Sequence, residues 1–270
     1  MRTRGDDMDN IKENKSVARV VDLLVLLAHS DAPLALNEIC HAQSWPKSSA
    51  FELIQTLVNK GLLEVKDERL KTYGLSLLSF EIGSSYLSNL GVTDQARPYI
   101  QQLNKQIGST VFLGIEDNGD VVYLDKAENH SFMRPTAKLG ARRYLHTTGV
   151  GKALLAAYPE DKIKKILSKN PLLNKTEFSH STLEEVLRDM REIKNRGYSI
   201  DNREDNTEMY CMGAAIYDQW GGPVASISVA SLYNTMSEDR KIFISEALTE
   251  TAMQISRKLG YTGSKLYMPY

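Results

Sequence analysis

Between Lys15 and Leu75 three short amphipathic stretches precede two extended runs around a charged turn, and no other feature of the chain restricts its fold as much. Val17, Val20, Val21, Leu24, Leu27 and Ala28 recur at helical spacing. They predict one face of a helix that begins near Ser16 and ends near Ser30-Asp31-Ala32-Pro33. A second, short helix carries Leu36, Ile39 and Cys40 and lacks a good capping side chain at its start. Pro46 suits the first position of a third helix, where its missing N–H would be unbonded anyway. That helix directs Ala50, Ile54, Leu57 and Val58 inward and stops at Gly61. Leu62 to Val65 and Leu70 to Tyr73 read as strands around Lys66-Asp67-Glu68-Arg69. This order outlines a winged helix-turn-helix, whose second helix enters a DNA major groove while the hairpin reaches a phosphate or the minor groove. It equally suits a small helical domain that binds another protein.

Charge does not separate the two readings. The chain carries 33 Lys and Arg against 34 Asp and Glu, and through Leu75 ten stand against eleven. Binding to nucleic acid therefore needs a local patch, since the global field supplies no attraction. With 42% apolar and 25% charged residues, the 270-residue chain is ordinary globular material for one large or two moderate domains. No apolar run exceeds that from Leu23 to Ala28, far below the roughly 18 residues of a membrane helix. The first seven residues mix charges and lead into no apolar core of a signal peptide. Two distant cysteines, Cys40 and Cys211, fit a reducing cytoplasm, the expected location.

Residues 1–14 read as a loose polar tail. From Ser76 to Leu90 a helical segment places Leu78, Ile82, Ser85 or Tyr86, and Asn89 on one face, a pattern suited to connecting and dimerising. Beyond Gly91, helices and strands alternate. Thr93 to Ile107 is helical, and Thr110 to Glu116 with Val121 to Asp125 form a hairpin around Asn118-Gly119-Asp120. Lys152 to Tyr158, Asp161 to Leu167 and Thr182 to Arg196 read as helices. Met212 to Tyr217 pairs with Val224 to Ala230. A closing helix, Ser237 to Lys258, buries Ile242, Leu248, Ala252, Ile255 and Leu259. The expectation is an α+β sensor-like domain with one central antiparallel sheet.

Several constellations invite chemistry. His146-Thr147-Thr148-Gly149-Val150-Gly151-Lys152 resembles a phosphate loop but has His146 where the first glycine belongs and Ala153 where Ser or Thr would hold magnesium. What survives is a glycine-flanked helix start whose bare amides suit a small anion, or a tight turn with no ligand. Cys211 and His146 could pair as nucleophile and base, but no orienting third group is marked, and catalysis is not expected. Asp201, Glu204, Asp205 and Glu208 could hold a cation, and read better as a solvated loop with one or two members facing a pocket. No metal and no cofactor are expected. On the third helix, Lys47, Ser48, Ser49, Phe51, Glu52, Gln55 and Asn59 form the DNA-facing candidates. Lys15, Arg19, Lys60, Lys66, Arg69 and Lys71 could add phosphate contacts.

Pro46-Lys47-Ser48-Ser49, Gln55-Thr56-Leu57, Gly61-Leu62-Leu63 and Tyr73-Gly74-Leu75 resemble the winged helix-turn-helix of IclR-type bacterial transcriptional regulators. Ala96-Arg97-Pro98, Val122-Tyr123-Leu124-Asp125, the His146 to Ala153 stretch, Arg196-Gly197-Tyr198 and Cys211 resemble landmarks of that family's second domain. The similarity runs in order from about Lys15 to about Gly260. It implies a DNA-binding domain over 15–75, a linker helix over 76–92 and a GAF-like effector-binding domain over 93–270. It implies a homodimer or dimer of dimers on a pseudo-palindromic double-stranded operator, with a small organic acid as effector. The general look is that of the sugar-acid-responsive branch, and repression is expected over activation. Effector contacts carried over by matching position are Gly149, Val150, Asp201, Cys211 and Ser228. Two departures stand out: Ala230 replaces a frequent second serine, and Glu52 replaces a frequent arginine, so a bidentate contact to guanine is not expected there and one to cytosine N4 is open to it. The competing reading is a carboxylate-binding module or enzyme whose helical N-terminal unit makes protein contacts.

Overall fold

A computed structural model of the chain describes residues 13–128, 135, 137–169 and 171–267, with 86–90 described by backbone alone. Most of the expected tail lies outside the described residues. The chain divides into two compact units, Met1–Tyr86 and Leu87–Tyr270.

The first unit holds α1 (Lys15–His29), β1 (Leu34–Ala35), α2 (Leu36–Gln43), α3 (Lys47–Asn59), β2 (Leu63–Asp67) and β3 (Thr72–Leu75). Its last helix, α4 (Leu77–Leu90), runs past the boundary between the units. α1 starts at Asn14 rather than Ser16, because the Asn14 Oδ1 accepts the amides of Ser16 and Val17 at 3.1 and 3.3 Å. Its buried residues are Leu23 and Leu27, whereas Val17 and Val21 are 60% and 55% exposed and Ala28 is exposed as well. The helix is apolar on two sides, and the core covers only one of them. α2 lacks a capping hydroxyl, yet the Glu38 carboxylate accepts the Ala35 amide at 2.7 Å. Pro46 stands one position before α3, and Gly61, at φ +76°, follows its end. Leu23, Leu27, Ile39, Ile54, Leu57, Leu63 and Tyr73 make the core.

β2 and β3 pair antiparallel, and β1 adds to β3 as a third strand. The hairpin turns two residues later than expected. Asp67 Oδ1 accepts the amides of Arg69 and Leu70 at 2.7 and 2.8 Å, and Lys71 takes a positive φ of 51°. This Asx turn anchors at Asp67, so the charged residues before it stay in the strand.

The second unit comprises α5 (Val92–Ile107), β4 (Thr110–Asp117), β5 (Asp120–Ala127), β6 (Arg142–Tyr144), α6 (Gly149–Ala157), α7 (Glu160–Leu167), α8 (Leu183–Arg196), β7 (Ser199–Asn202), β8 (Met209–Tyr217), β9 (Pro223–Leu232) and α9 (Glu238–Lys258). Its strands form one antiparallel sheet in the order β6-β5-β4-β9-β8-β7. β6 and β7 are too short to have left a period-two signature in the sequence. α5 and α9 pack on each other and on the sheet, while α6 packs over β8, β9 and β4. On β8 and β9 the residues alternate, so Cys211, Gly213, Ser226 and Ser228 share the α6 face, and Ile227 and Val229 point the other way.

Two expectations are corrected here. Ile242 of α9 is 58% exposed, and the buried stripe runs through Ile244, Ala247, Leu248, Thr251, Ala252 and Ile255. α6 begins three residues earlier than expected, with two glycines inside it, because the packing admits no side chain. A Cβ at Gly151 would lie 2.4 Å from the Leu145 carbonyl oxygen, and one at Gly213 would lie 2.2 Å from that of Gly149.

Candidate functional site

The start of α6 borders a cavity of about 320 Å³ lined by residues of every strand in the second sheet. Arg143 comes from β6, Tyr123 from β5, Phe112 from β4, Ser228, Ala230 and Leu232 from β9, Met209 and Cys211 from β8, and Asp201 from β7. On a flat sheet five strand spacings would hold the two edges about 24 Å apart. A cavity this small that touches both edges requires a curled sheet.

Thr148 caps α6: its hydroxyl accepts the Gly151 amide at 3.1 Å and donates to the Tyr144 carbonyl at 2.9 Å. The amides of Gly149 and Val150, the first two of the helix, have no helical carbonyl within reach. Gly149 is on the cavity wall, where a side chain would press on Cys211. Val150 is not on the wall: its side chain is 1% exposed against Gly114, and its carbonyl accepts the Ser226 hydroxyl at 2.8 Å. Ser228 is 3% exposed, and its hydroxyl has no hydrogen-bond partner among the described residues.

Asp201 is buried, with Oδ1 accepting the amides of Glu204 and Asp205 at 2.8 and 3.3 Å. Burial, reinforced by the charge of Glu204, pushes its carboxyl up to about 7. Burial and Asp201 together push the Cys211 thiol well above its usual range, so it is no activated nucleophile. His146, the partner weighed for it, is buried off the cavity wall, its Nε2 3.2 Å from the Leu173 carbonyl oxygen.

The acidic run is less solvated than the sequence suggested, although two of its members, Asp201 and Asp205, do face the cavity. Glu204 takes the buried ammonium of Lys152 at 2.5 Å, and Asp189 of α8 meets the same ammonium at 2.8 Å. Asp205 accepts the Thr147 hydroxyl at 2.9 Å and Lys175 at 2.8 Å beside the cavity. Only Glu208 is exposed. No cluster able to hold a metal ion occurs among the described residues.

Four of the five carried-over positions thus meet at one cavity. Sequence reasoning missed Arg143, Tyr123, Phe112 and Met209 there, while Asp205 belongs to the acidic run expected to send one or two members to a pocket. The strand alternation around Cys211 would have found Met209, but nothing local marks Arg143.

In the first unit, Lys47, Ser48 and Glu52 of α3 are exposed, Phe51 is 47% exposed, and Ser49 and Gln55 are half-buried. Ser49 and Glu52 also border a groove against Ser16, Val17 and Arg19 of α1. Lys60, Arg69 and Lys71 are exposed. Lys66 is paired with Glu64 and Lys71 with Glu68, whereas Arg69 has no ion pair among the described residues.

A helix-turn-helix with a wing, joined in one chain to a domain with a ligand-sized cavity, defines a DNA-binding regulator that answers to a small molecule. The model for the bacterial transcriptional regulator IclR C-terminal domain matches residues 84–257, and the model for the IclR helix-turn-helix domain matches residues 16–67. The chain belongs to the IclR family, whose members are DNA-binding transcriptional regulators with a C-terminal effector-binding domain and are not enzymes. It is 32% identical over 243 residues to the HTH-type transcriptional regulator BhcR of Paracoccus denitrificans, covering 90% of this chain and 86% of that one. It is 29% identical over 249 residues to the repressor AllR of Escherichia coli K12, covering 92% of each. The crystal structure of the Thermotoga maritima IclR superposes with a TM-score of 0.78 at 29% identity, over 92% of this chain and 99% of that one. Among the described residues no helix is long and apolar enough to cross a membrane.

Proposed function

We propose that the protein is a cytoplasmic repressor whose operator affinity is set by a small hydroxylated organic acid of the sugar-acid type. Residues 15–75 form the operator-binding domain, 76–92 the linker helix, and 93–270 the GAF-like effector domain. The observation that carries the reading is the hydroxyl of the buried Ser228, which has no hydrogen-bond partner among the described residues and lies on a cavity that also takes in the start of α6. Helix-start amides and a free hydroxyl suit a carboxylate, and Asp201 suits a ligand hydroxyl. Repression is supported by the likeness to AllR, a transcriptional repressor. A dimer on a pseudo-palindromic operator is supported by exposed apolar residues on α1 (Val17, Val21, Val25) and α4 (Leu77, Phe80, Ile82).

Effector and operator binding are reciprocally coupled, by about 1–3 kcal/mol in such systems. The test is a thermal-shift screen of small carboxylic acids on the purified full chain, followed by operator binding with and without each hit. Stabilising acids should change operator affinity about 5- to 150-fold. Retention of random DNA as strong as that of operator at raised salt would overturn the regulator reading. Acids that stabilise the protein and leave operator affinity unchanged would overturn the coupling.

A further inference from the structure

Arg143 is an uncommitted cation on the cavity wall. Its neighbour Arg142 is tied to Asp117 and Asp120, Lys152 to Asp189 and Glu204, and Lys175 to Asp205. Arg143 has no ion pair among the described residues, and its Nη1 donates only to the Arg142 carbonyl, at 2.9 Å. A guanidinium offers five N–H donors in a rigid fork, a geometry matched to a carboxylate.

Its position is as telling as its charge. Arg143 pairs with Val121 on edge strand β6, whereas Ser228 pairs with Phe112 on β9. Three strand spacings therefore separate their backbones, about 14 Å on a flat sheet and less on this curled one. The arginine side chain spans part of that gap. What remains suits a short diacid with one end at Ser228 and Gly149, not a single carboxylate group. Tyr123, on the strand next to β6, lines the same cavity as Arg143, Asp205 and Asp201, which puts the cation and the hydroxyl-reading acids around one space.

We propose that Arg143 is a specificity-determining residue that binds a second acidic group, so that the effector is a hydroxylated dicarboxylate laid across the cavity from Ser228 to Arg143. This rests on the acid-pocket reading above. It goes further by fixing the number of acidic groups and the residue that counts them.

The experiment is calorimetry on the full chain with a panel of hydroxylated mono- and dicarboxylic acids that includes tartrate against threonate and malate against α-hydroxybutyrate. Each pair differs at one terminal carboxylate. The parent should prefer the diacid by about ten- to a hundredfold, the usual weight of a charge-assisted contact. Arg143→Gln should bring that ratio close to one with monoacid affinity retained, and Arg143→Lys should fall between. Ser228→Ala should weaken both members of a pair by the same factor. Should Arg143→Gln fail to melt cooperatively, Arg143→Lys, which keeps the charge and loses the fork, carries the test through its lowered ratio. A parent ratio near one, or a ratio that both Arg143 variants leave unchanged, while Ser228→Ala still weakens the acids, overturns this inference and leaves the acid pocket standing. Failure of every acid in the panel to bind the parent overturns both.

Discussion

With its carboxyl pushed up to about 7, Asp201 exchanges its proton near neutral pH, so it can donate to a ligand oxygen as well as accept from a hydroxyl. An anion bound beside it favours the protonated form further. Effector binding should therefore take up a proton, and affinity should fall as pH rises past 7, by at most about tenfold per pH unit. Calorimetry in buffers of differing ionisation enthalpy reads the proton directly. The sign for stability follows from the same shift. Between the ordinary carboxyl value of 3.8 and about 7, the folded chain holds a proton that the unfolded chain has released, so stability drops as pH rises through that window. Asp201→Asn should flatten this slope and melt above the parent at about pH 8. The Lys152 ammonium is 1% exposed between Asp189 and Glu204. Lys152→Met strands two buried carboxylates and should cost about 3–5 kcal/mol in denaturant unfolding. None of that pairing was legible in the sequence. Lys152, Asp189 and Glu204 are far apart along the chain, so the lysine looked like a failed phosphate loop and the glutamate like a solvated one. The cavity residues Asp201, Cys211 and Ser228 came from family resemblance, not from any local pattern around them.

Elements long enough to show a period were readable, and short ones were not. α5, α8 and the two long hairpins of the second unit stand within a few residues of where spacing and the Asn118-Gly119 turn put them. β1, β6 and β7 have two to four residues each and give no alternation to detect. The face of α1 was drawn too far round: Leu27 is buried and Val20 and Leu24 pack on the core, but Val17, Val21 and Ala28 continue the apolar surface outward. The wing carries a prediction of its own. Lys66 and Lys71 are held by neighbouring glutamates, which leaves Arg69 as the hairpin cation with no ion pair among the described residues. If it meets a phosphate, Arg69→Ala should flatten the slope of log operator affinity against log salt by about 0.9 for each phosphate no longer neutralised. Weaker binding with an unchanged slope would place Arg69 off the backbone.

For the molecule as a whole, a net charge of −1 supplies no long-range pull toward DNA, so affinity rests on local contacts, which the proposed pairing of two copies on one operator would double. Val21 is 55% exposed and Phe80 68% exposed on helices of the DNA-binding unit. Val21→Asp and Phe80→Asp should each shift sedimentation toward monomer and weaken operator binding, with little change in acid binding. Dimers that persist in both variants would place the contact elsewhere. The curl of the second sheet has a further consequence, in the time domain. β6 and β7 lie at opposite ends of the strand order yet border the same cavity, so a ligand touching both acts as a clasp across the sheet's open ends. Amide hydrogens of the two edge strands should then slow their exchange together when the effector binds, although no strand pairing links β6 to β7.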